Sequence, residues 1–158
     1  ENYQGVNYYY FRKIFSKISW DFSNSIFIDF GSGKGKALIM AQEVGFKKII
    51  GVEFAQELVK WSKNNLKKFN IKANVIYEDA ARFSIPSKAN VFFFFNPFRE
   101  LVMEEVLQNI VSSLHAHHRK ILIIYFNPKL SHLLRAKNFK ILREIKNKNK
   151  IEVQAFTN

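Results

Sequence analysis

A run of glycines is the most informative stretch of the chain: Asp29-Phe30-Gly31-Ser32-Gly33-Lys34-Gly35. Glycine has no Cβ, so such a glycine loop (residues 31–35) lets the backbone turn sharply and approach a ligand closely. A dinucleotide fingerprint would need its third glycine where Lys36 stands, and a phosphate-binding P-loop would need four residues between Gly31 and Gly35, which are separated by three. The spacing disfavours both classes and leaves a different ligand or a turn that binds nothing.

Acidic residues end two further apolar runs. Glu53 follows Ile49-Ile50-Gly51-Val52, and an acidic side chain at this distance from a glycine loop can accept hydrogen bonds from both hydroxyls of a ribose. The alternative is a surface glutamate that ends a strand. Asp79 follows the next apolar run, beside Glu78, which competes with it for a binding role. Asp79 could also be a helix N-cap, a position that aspartate favours.

The segment Asn96-Pro97-Phe98 follows a run of four phenylalanines. The Asn96 side-chain oxygen and the carbonyl next to Pro97 can both accept hydrogen bonds from an –NH2 group. The ring of Phe98 would stabilise positive charge that develops on a nitrogen atom. The segment therefore predicts either a site for an amino nitrogen or a strand that simply stops at an Asn-Pro turn.

Short apolar runs alternate with helical patterns along the chain, and these predict the elements that must position the three motifs. The predicted strands are residues 25–30, 48–54, 73–77, 90–95 and 120–126, the predicted helices are residues 6–18, 36–44, 56–69, 100–114 and 128–137, and residues 139–145 and 151–156 form a hairpin. Gly45 should close the second helix, and Trp61 and Phe69 should lie on the inner face of the third. Apolar strands that alternate with helices predict a parallel sheet covered on both faces, with ligands beyond the carboxyl ends of its strands.

The motifs together resemble those of a known family. The pattern D-x-G-x-G-x-G is similar to motif I of class I S-adenosylmethionine-dependent methyltransferases. Asn96-Pro97-Phe98 resembles the N-P-P-Y motif IV of the members that methylate amino groups, with one proline fewer and Phe in place of Tyr. The resemblance covers residues 27–114 and extends to small bacterial methyltransferases and the core of non-SET histone-lysine methyltransferases. It implies an α/β fold: a Rossmann-like, seven-stranded, mostly parallel sheet with helices on both faces and a C-terminal antiparallel hairpin.

The same resemblance implies the cofactor S-adenosylmethionine and the residues that bind it. The implied cofactor-binding residues are Asp29, Gly31, Ser32, Gly33, Gly35, Glu53, Phe54, Asp79, Ala80 and Asn96. In this family the glycine loop makes room for the methionine part, and the residue at Asp29 orders the loop. The residue at Asp79 accepts a hydrogen bond from the adenine amino group, and the N–H of Ala80 meets the ring.

The implied catalytic residues are Asn96, Pro97 and Phe98, which would orient an amino nitrogen, and no general base is identified. The methyl acceptor would be an unidentified protein lysine or small-molecule amine. One alternative is an O- or C-methyltransferase of a small metabolite. A further alternative is a module that binds the cofactor but has lost catalysis.

Length and composition set limits on the rest. A single methyltransferase domain is expected over residues 1–158, with a leading helix or lid in residues 1–20 and a catalytic core in residues 25–158. The chain has no cysteine, which excludes disulfides and thiolate zinc sites and makes a cytoplasmic location the expectation. The apolar runs are too short to span a membrane.

Charged residues suggest two further partners, and neither is favoured. The net charge of +12 would suit nucleic acid, but the lysines look scattered over helix faces rather than clustered. His115, His117 and His118 should be surface residues, so no metal site is predicted.

Overall fold

The computed structural model describes residues 5–96 and 98–158, and within them seven strands form one sheet. The strands are β1 (Ile26–Phe30), β2 (Lys48–Glu53), β3 (Asn74–Tyr77), β4 (Val91–Phe95), β5 (Leu122–Phe126), β6 (Lys140–Asn147) and β7 (Lys150–Thr157). Their order is β3-β2-β1-β4-β5-β7-β6, in which β7 is antiparallel to both its neighbours and all other pairs are parallel. The predicted Rossmann-like sheet with a C-terminal antiparallel hairpin is confirmed.

Helices cover both faces of the sheet. They are α1 (Tyr8–Ser16), α2 (Lys36–Val44), α3 (Gln56–Lys68), α4 (Glu100–Ala116) and α5 (Ser131–Ala136), with a short 3-10 helix at Phe22–Asn24. Helices α1, α2 and α3 pack on one face, and α4 and α5 pack on the other. The longest described helix, α4, has 17 residues, and none of the described helices is long and apolar enough to cross a membrane.

Phenylalanine side chains form much of the packing between these layers. Side chains alternate along a strand, so Phe27 of β1 faces α1–α3 while Phe30 faces α4 and α5. On the first face, the ring of Phe93 lies 5.6 Å from that of Phe27 and 5.5 Å from that of Phe126. Burying each such ring contributes about 1.5–3 kcal/mol. The strands are therefore held in place by a tightly packed aromatic core.

Caps decide where the first two helices begin and end. Asn7 starts α1 because its Oδ1 accepts a hydrogen bond from the N–H of Tyr9 at 2.9 Å, so this helix is shorter than the predicted 6–18. Helix α2 follows Gly35 and ends at Gly45, whose φ of +90° is the left-handed conformation expected of a closing glycine.

The prediction that Trp61 and Phe69 face the core is wrong. Each is 55% exposed, and α3 instead buries Val59, Ser62 and Leu66. Ser62 lies on this stripe because α3 passes so close to Gly35 that a Cβ there would lie 2.5 Å from the Ser62 Oγ. Only a small side chain fits at that contact, so Trp61, next to Ser62, turns outward, while Phe69 follows the last residue of α3.

Candidate active site

The three predicted motifs meet at one edge of the sheet. Phe30, at the end of β1, lies opposite both Val52 of β2 and Phe94 of β4. The residues that follow these strands, from the glycine loop to Glu53 and Asn96, therefore leave the sheet side by side. Strands β1 and β4 are neighbours although β2 and β3 come between them in sequence. This is the reversal point of the strand order, where open α/β sheets bind their ligands.

The glycine loop has a conformation that only glycine adopts easily. Gly31, Gly33 and Gly35 have φ values of +76°, +53° and +83°, in the left-handed region where a side chain would cause strain. The N–H groups of Gly31 and Ser32 both donate to the Val52 carbonyl oxygen, at 2.8 and 3.1 Å. The loop is thereby attached to β2, and Gly31, Ser32 and Gly33 line the adjoining cavity.

Glu53 fixes the other side of the loop. Its side chain is buried, its Oε2 accepts a hydrogen bond from the Gly33 N–H at 2.9 Å, and its Oε1 accepts one from the Ala55 N–H at 2.9 Å. The resemblance assigns the ordering of this loop to Asp29, whereas these contacts give it to Glu53. Each carboxylate oxygen has two lone pairs, so Glu53 keeps acceptor capacity for a ligand.

Asp29 is buried beneath the loop and has an unusual pKa. Its side chain is 3% exposed, and its carboxyl group has no hydrogen-bond partner among the described residues. Burial, and to a smaller extent the negative charge of Glu53, raises the pKa of Asp29 to about 8. Desolvation penalises the charged form, so this carboxyl group carries a proton at neutral pH.

Replacing Asp29 with Asn should flatten the pH dependence of stability. Between the ordinary pKa of 3.8 and the folded value of about 8, the folded chain binds a proton at this site that the unfolded chain has lost. The contribution of Asp29 to the free energy of unfolding therefore falls as pH rises through this window. The advantage of the Asp29→Asn variant over the wild type should accordingly grow when urea unfolding is compared at about pH 5.5, 7 and 8.5.

Asp21→Asn is the control for this experiment. Asp21 is exposed, and hydrogen bonds from Asn24 and Ser23 lower its pKa, so its stabilising effect is lost only in acid, below the window. Its replacement should leave the slope between about pH 5.5 and 8.5 unchanged. Parallel curves for the Asp29→Asn variant and the wild type would contradict the assignment.

Two adjoining cavities open at this edge of the sheet. The larger, of about 510 Å³, is lined by Asp29, Gly31, Ser32, Gly33, Lys36, Glu53, Phe54, Asn96 and Phe98, among others. The smaller, of about 290 Å³, is lined by Gly31, Phe54, Glu78, Asp79, Ala80, Phe98 and Arg99, among others. Gly31, Phe54 and Phe98 line both. The predicted site residues thus gather here, except that Gly35 starts α2 outside the lining and Pro97 lies outside the described residues.

Asp79 is engaged in a turn rather than in a helix cap. Its Oδ1 accepts a hydrogen bond from the Ala81 N–H at 2.9 Å, and its carbonyl oxygen accepts from Arg82 and Phe83, both at 3.0 Å. The side chain is exposed at the rim of the smaller cavity, and Ala80 beside it is buried. Glu78, the competing acid, lines the same cavity.

Asn96 has a positive φ, and its side chain contacts a residue that sequence analysis missed. Its φ is +39°, although a following proline disfavours helical dihedrals. The hydroxyl of buried Tyr125 donates to the Asn96 Oδ1 at 3.4 Å and accepts from the Leu130 N–H at 3.3 Å. Burial raises the pKa of Tyr125, which keeps its hydroxyl a donor. The sequence offered one indication of this role: Tyr125 carries the one hydroxyl group in the otherwise apolar run Leu122–Phe126.

This strand order, with a glycine loop after β1, an acid after β2 and a cavity at the reversal point, defines a class I methyltransferase domain. A family model described as "Methyltransferase domain" matches residues 21–156. The chain belongs to this family, a family of S-adenosylmethionine-dependent methyltransferase domains.

Individual similarities are more distant. Protein MJ0284 of Methanocaldococcus jannaschii is 37% identical over 51 residues, which are 32% of this chain and 23% of that protein. The match thus spans about a quarter of the curated relative's length.

Three solved structures have similar folds. Magnesium protoporphyrin IX methyltransferase from Synechocystis PCC 6803 with bound SAH is 10% identical, with a TM-score of 0.70 and coverage of 96% of this chain and 82% of that one. An RNA methyltransferase from Salinibacter ruber in complex with S-adenosyl-L-homocysteine is 17% identical, with a TM-score of 0.68 and coverage of 98% and 93%. The PH0226 protein from Pyrococcus horikoshii is 14% identical, with a TM-score of 0.71 and coverage of 92% and 86%. At these identities the similarity concerns the fold.

Proposed function

We propose that this domain transfers a methyl group to an amino nitrogen of a protein or small molecule. The carrying observation is the position of Asn96, which follows β4 and lines the larger cavity together with Phe98. Both line the same cavity as Gly31, Ser32 and Gly33 of the glycine loop, so an acceptor next to Asn96 would lie close to whatever the loop holds. A carboxamide oxygen is a suitable partner for an –NH2 group.

The residues of the larger cavity suit the methionine part and the ribose of S-adenosylmethionine. When bound, this cofactor supplies a methyl group already activated on a sulfonium. The positive end of α2 and the Lys36 ammonium would attract its carboxylate, and Asp29 would face its cationic groups. Gly31, Ser32 and Gly33 of the loop line this cavity, so their backbone would lie against the methionine part. Glu53 would accept from the ribose hydroxyls.

The smaller cavity suits the adenine ring. Phe54, which is 71% exposed, offers an apolar surface between the two cavities. Asp79 or Glu78 would accept a hydrogen bond from the adenine amino group, and the backbone at Ala80 would meet the ring. These contacts would place the cofactor across both cavities, with the reacting end toward Asn96.

Asn96 and its neighbours would position the acceptor. The Oδ1 of Asn96 has two lone pairs, so it can accept from Tyr125 and from an amino group at the same time. Tyr125 would thereby fix the direction in which the carboxamide holds the amine. Holding the nitrogen in line with the donor is the main contribution such a site can make, and the face of Phe98 would stabilise the charge that grows on nitrogen.

Replacing Asn96 with Ala should lower turnover by roughly thirtyfold, the value of one positioned hydrogen bond, with cofactor affinity changed by less than about threefold. Transfer of radiolabelled methyl to poly-L-lysine and spermidine measures turnover, with catechol and acetate as oxygen acceptors in parallel. Calorimetric titration measures cofactor affinity.

Asn127→Ala is the matched control, because Asn127 also ends a strand before a proline with a positive φ, of +46°. It should keep turnover within about threefold. Label only in the oxygen acceptors, or unchanged turnover in Asn96→Ala, would overturn the proposal.

A further inference from the structure

Lysines occur throughout the chain, and helix α3 carries four of them. Helix α3 exposes Lys60, Lys63, Lys67 and Lys68, and its one acid, Glu57, is already paired with Lys60 at 3.3 Å. Helix α4, on the other face of the sheet, contains three glutamates and neither lysine nor arginine. Helix α3 therefore has a net positive charge and helix α4 a net negative one.

Two exposed aromatic rings lie at α3, each close to one lysine. The rings of Trp61 and Phe69 are each more than half exposed. The Lys34 Nζ lies 5.2 Å from the centre of the Trp61 ring, and the Lys68 Nζ lies 5.6 Å from that of Phe69. Large aromatic rings left in water next to cations are surfaces on which flat, unstacked rings of a ligand can stack.

This surface is continuous with the cofactor site. Lys34 belongs to the glycine loop, and its carbonyl oxygen accepts a hydrogen bond from the Asn65 side chain of α3 at 3.0 Å. Leu58, one turn before Trp61, lines the larger cavity. A molecule lying along α3 would therefore reach the rim of the cavity.

We propose that the α3 face, made of Lys34, Lys60, Trp61, Lys63, Lys67, Lys68 and Phe69, binds a single-stranded nucleic acid. Its phosphates complement the ammonium groups, and binding releases their counterions. Its bases are free to stack on Trp61 and Phe69, whereas the bases of a duplex are stacked on one another and cannot. The inference is independent of which acceptor is methylated, because it concerns binding alone.

Fluorescence anisotropy with a labelled oligouridylate of about 20 nucleotides tests the charges. In the double variant Lys63→Glu/Lys67→Glu the dissociation constant should rise at least about tenfold. The plot of log affinity against log salt concentration, between about 50 and 200 mM, should become less steep by about 1.4, since two phosphate contacts are lost. The control Lys120→Glu/Lys140→Glu changes the net charge equally. Both of its lysines are exposed, and Lys140 lies on β6, at the opposite sheet edge from α3. The control should stay within about threefold.

Intrinsic fluorescence tests the stacking. The chain has two tryptophans; the indole of Trp20 donates to Ser25 at 2.9 Å and is partly buried, while Trp61 is exposed. Oligouridylate should quench the wild type, and the Trp61→Phe variant should lose that quenching. A single-strand preference requires that duplex RNA and heparin bind more weakly and leave the fluorescence unchanged. Comparing oligothymidylate with oligouridylate shows whether the surface prefers DNA or RNA.

Equal loss of binding in the two charge variants, or equally tight binding of heparin, would overturn the proposal and leave only general charge attraction. All arms omit the cofactor. If methyl transfer to amines failed, the proposed nucleic-acid binding would be unaffected. If nucleic-acid binding failed, the proposed methyl transfer would be unaffected.

Discussion

Replacing Glu53 with Ala should weaken S-adenosylmethionine binding by at least about a hundredfold, or 2.7 kcal/mol. The substitution removes the acceptor of the Gly33 and Ala55 N–H groups, and each unsatisfied buried donor costs about 1–3 kcal/mol. It also removes the acceptor proposed for the ribose hydroxyls. Calorimetric titration with S-adenosylmethionine and S-adenosylhomocysteine measures the loss, and NAD, which should not bind, is the negative control.

Two variants separate the causes of that loss. Glu53→Gln keeps one acceptor oxygen and the side-chain volume, so it should lose about tenfold. Glu57→Ala removes an exposed acid only four residues away and should leave affinity within about twofold. Unchanged affinity in Glu53→Ala would show that neither the loop contacts nor the proposed ribose contact matter to binding.

Replacing Gly51 with Ala should lower the free energy of unfolding by about 3 kcal/mol, at the upper end of the usual cost of overpacking. Gly51 lies within β2, beneath the glycine loop. A Cβ there would lie 2.6 Å from the Ser32 Oγ and 2.8 Å from the Leu38 Cδ1. The loop or α2 must move to relieve the contact, so cofactor affinity should fall as well. Urea unfolding and the same titration measure the two effects.

Gly45→Ala is the matched control for Gly51→Ala. A Cβ at Gly45 would meet no atom within 4 Å, but its φ of +90° would strain an alanine. The expected cost is therefore about 1–2 kcal/mol of backbone strain, with cofactor affinity kept. If Gly51→Ala were no more destabilising than Gly45→Ala, or left affinity unchanged, the loop would not press on β2 as described.

The sheet could be predicted because its strands carry their own signal. Buried parallel strands need apolar side chains on both faces, and Val91–Phe95 and Leu122–Phe126 satisfy that need almost without interruption. Parallel strands also end at one edge, so placing Glu53 and Asn96 after strands was enough to bring them to the glycine loop.

Contacts within the site could not be predicted in the same way. Which donors Glu53 would face depends on how the loop folds back over β2, and the sequence pattern carries no information on that distance. The contact of Tyr125 with Asn96 could not be predicted, because an aromatic residue within an apolar strand indicates only a place in the core. The outward turn of Trp61 follows from the close approach of Ser62 to Gly35, a contact between elements that are distant in sequence.

The buried proton of Asp29 ties ligand binding to the solvent's acidity. At neutral pH this carboxyl group is protonated, because burial raises its pKa to about 8. A cation that entered the larger cavity beside it would favour the ionised form, so a positively charged ligand would bind with release of a proton to the buffer. We therefore expect the affinity for such a ligand to rise as the pH increases toward that pKa, and the heat of binding to depend on the buffer that receives the proton.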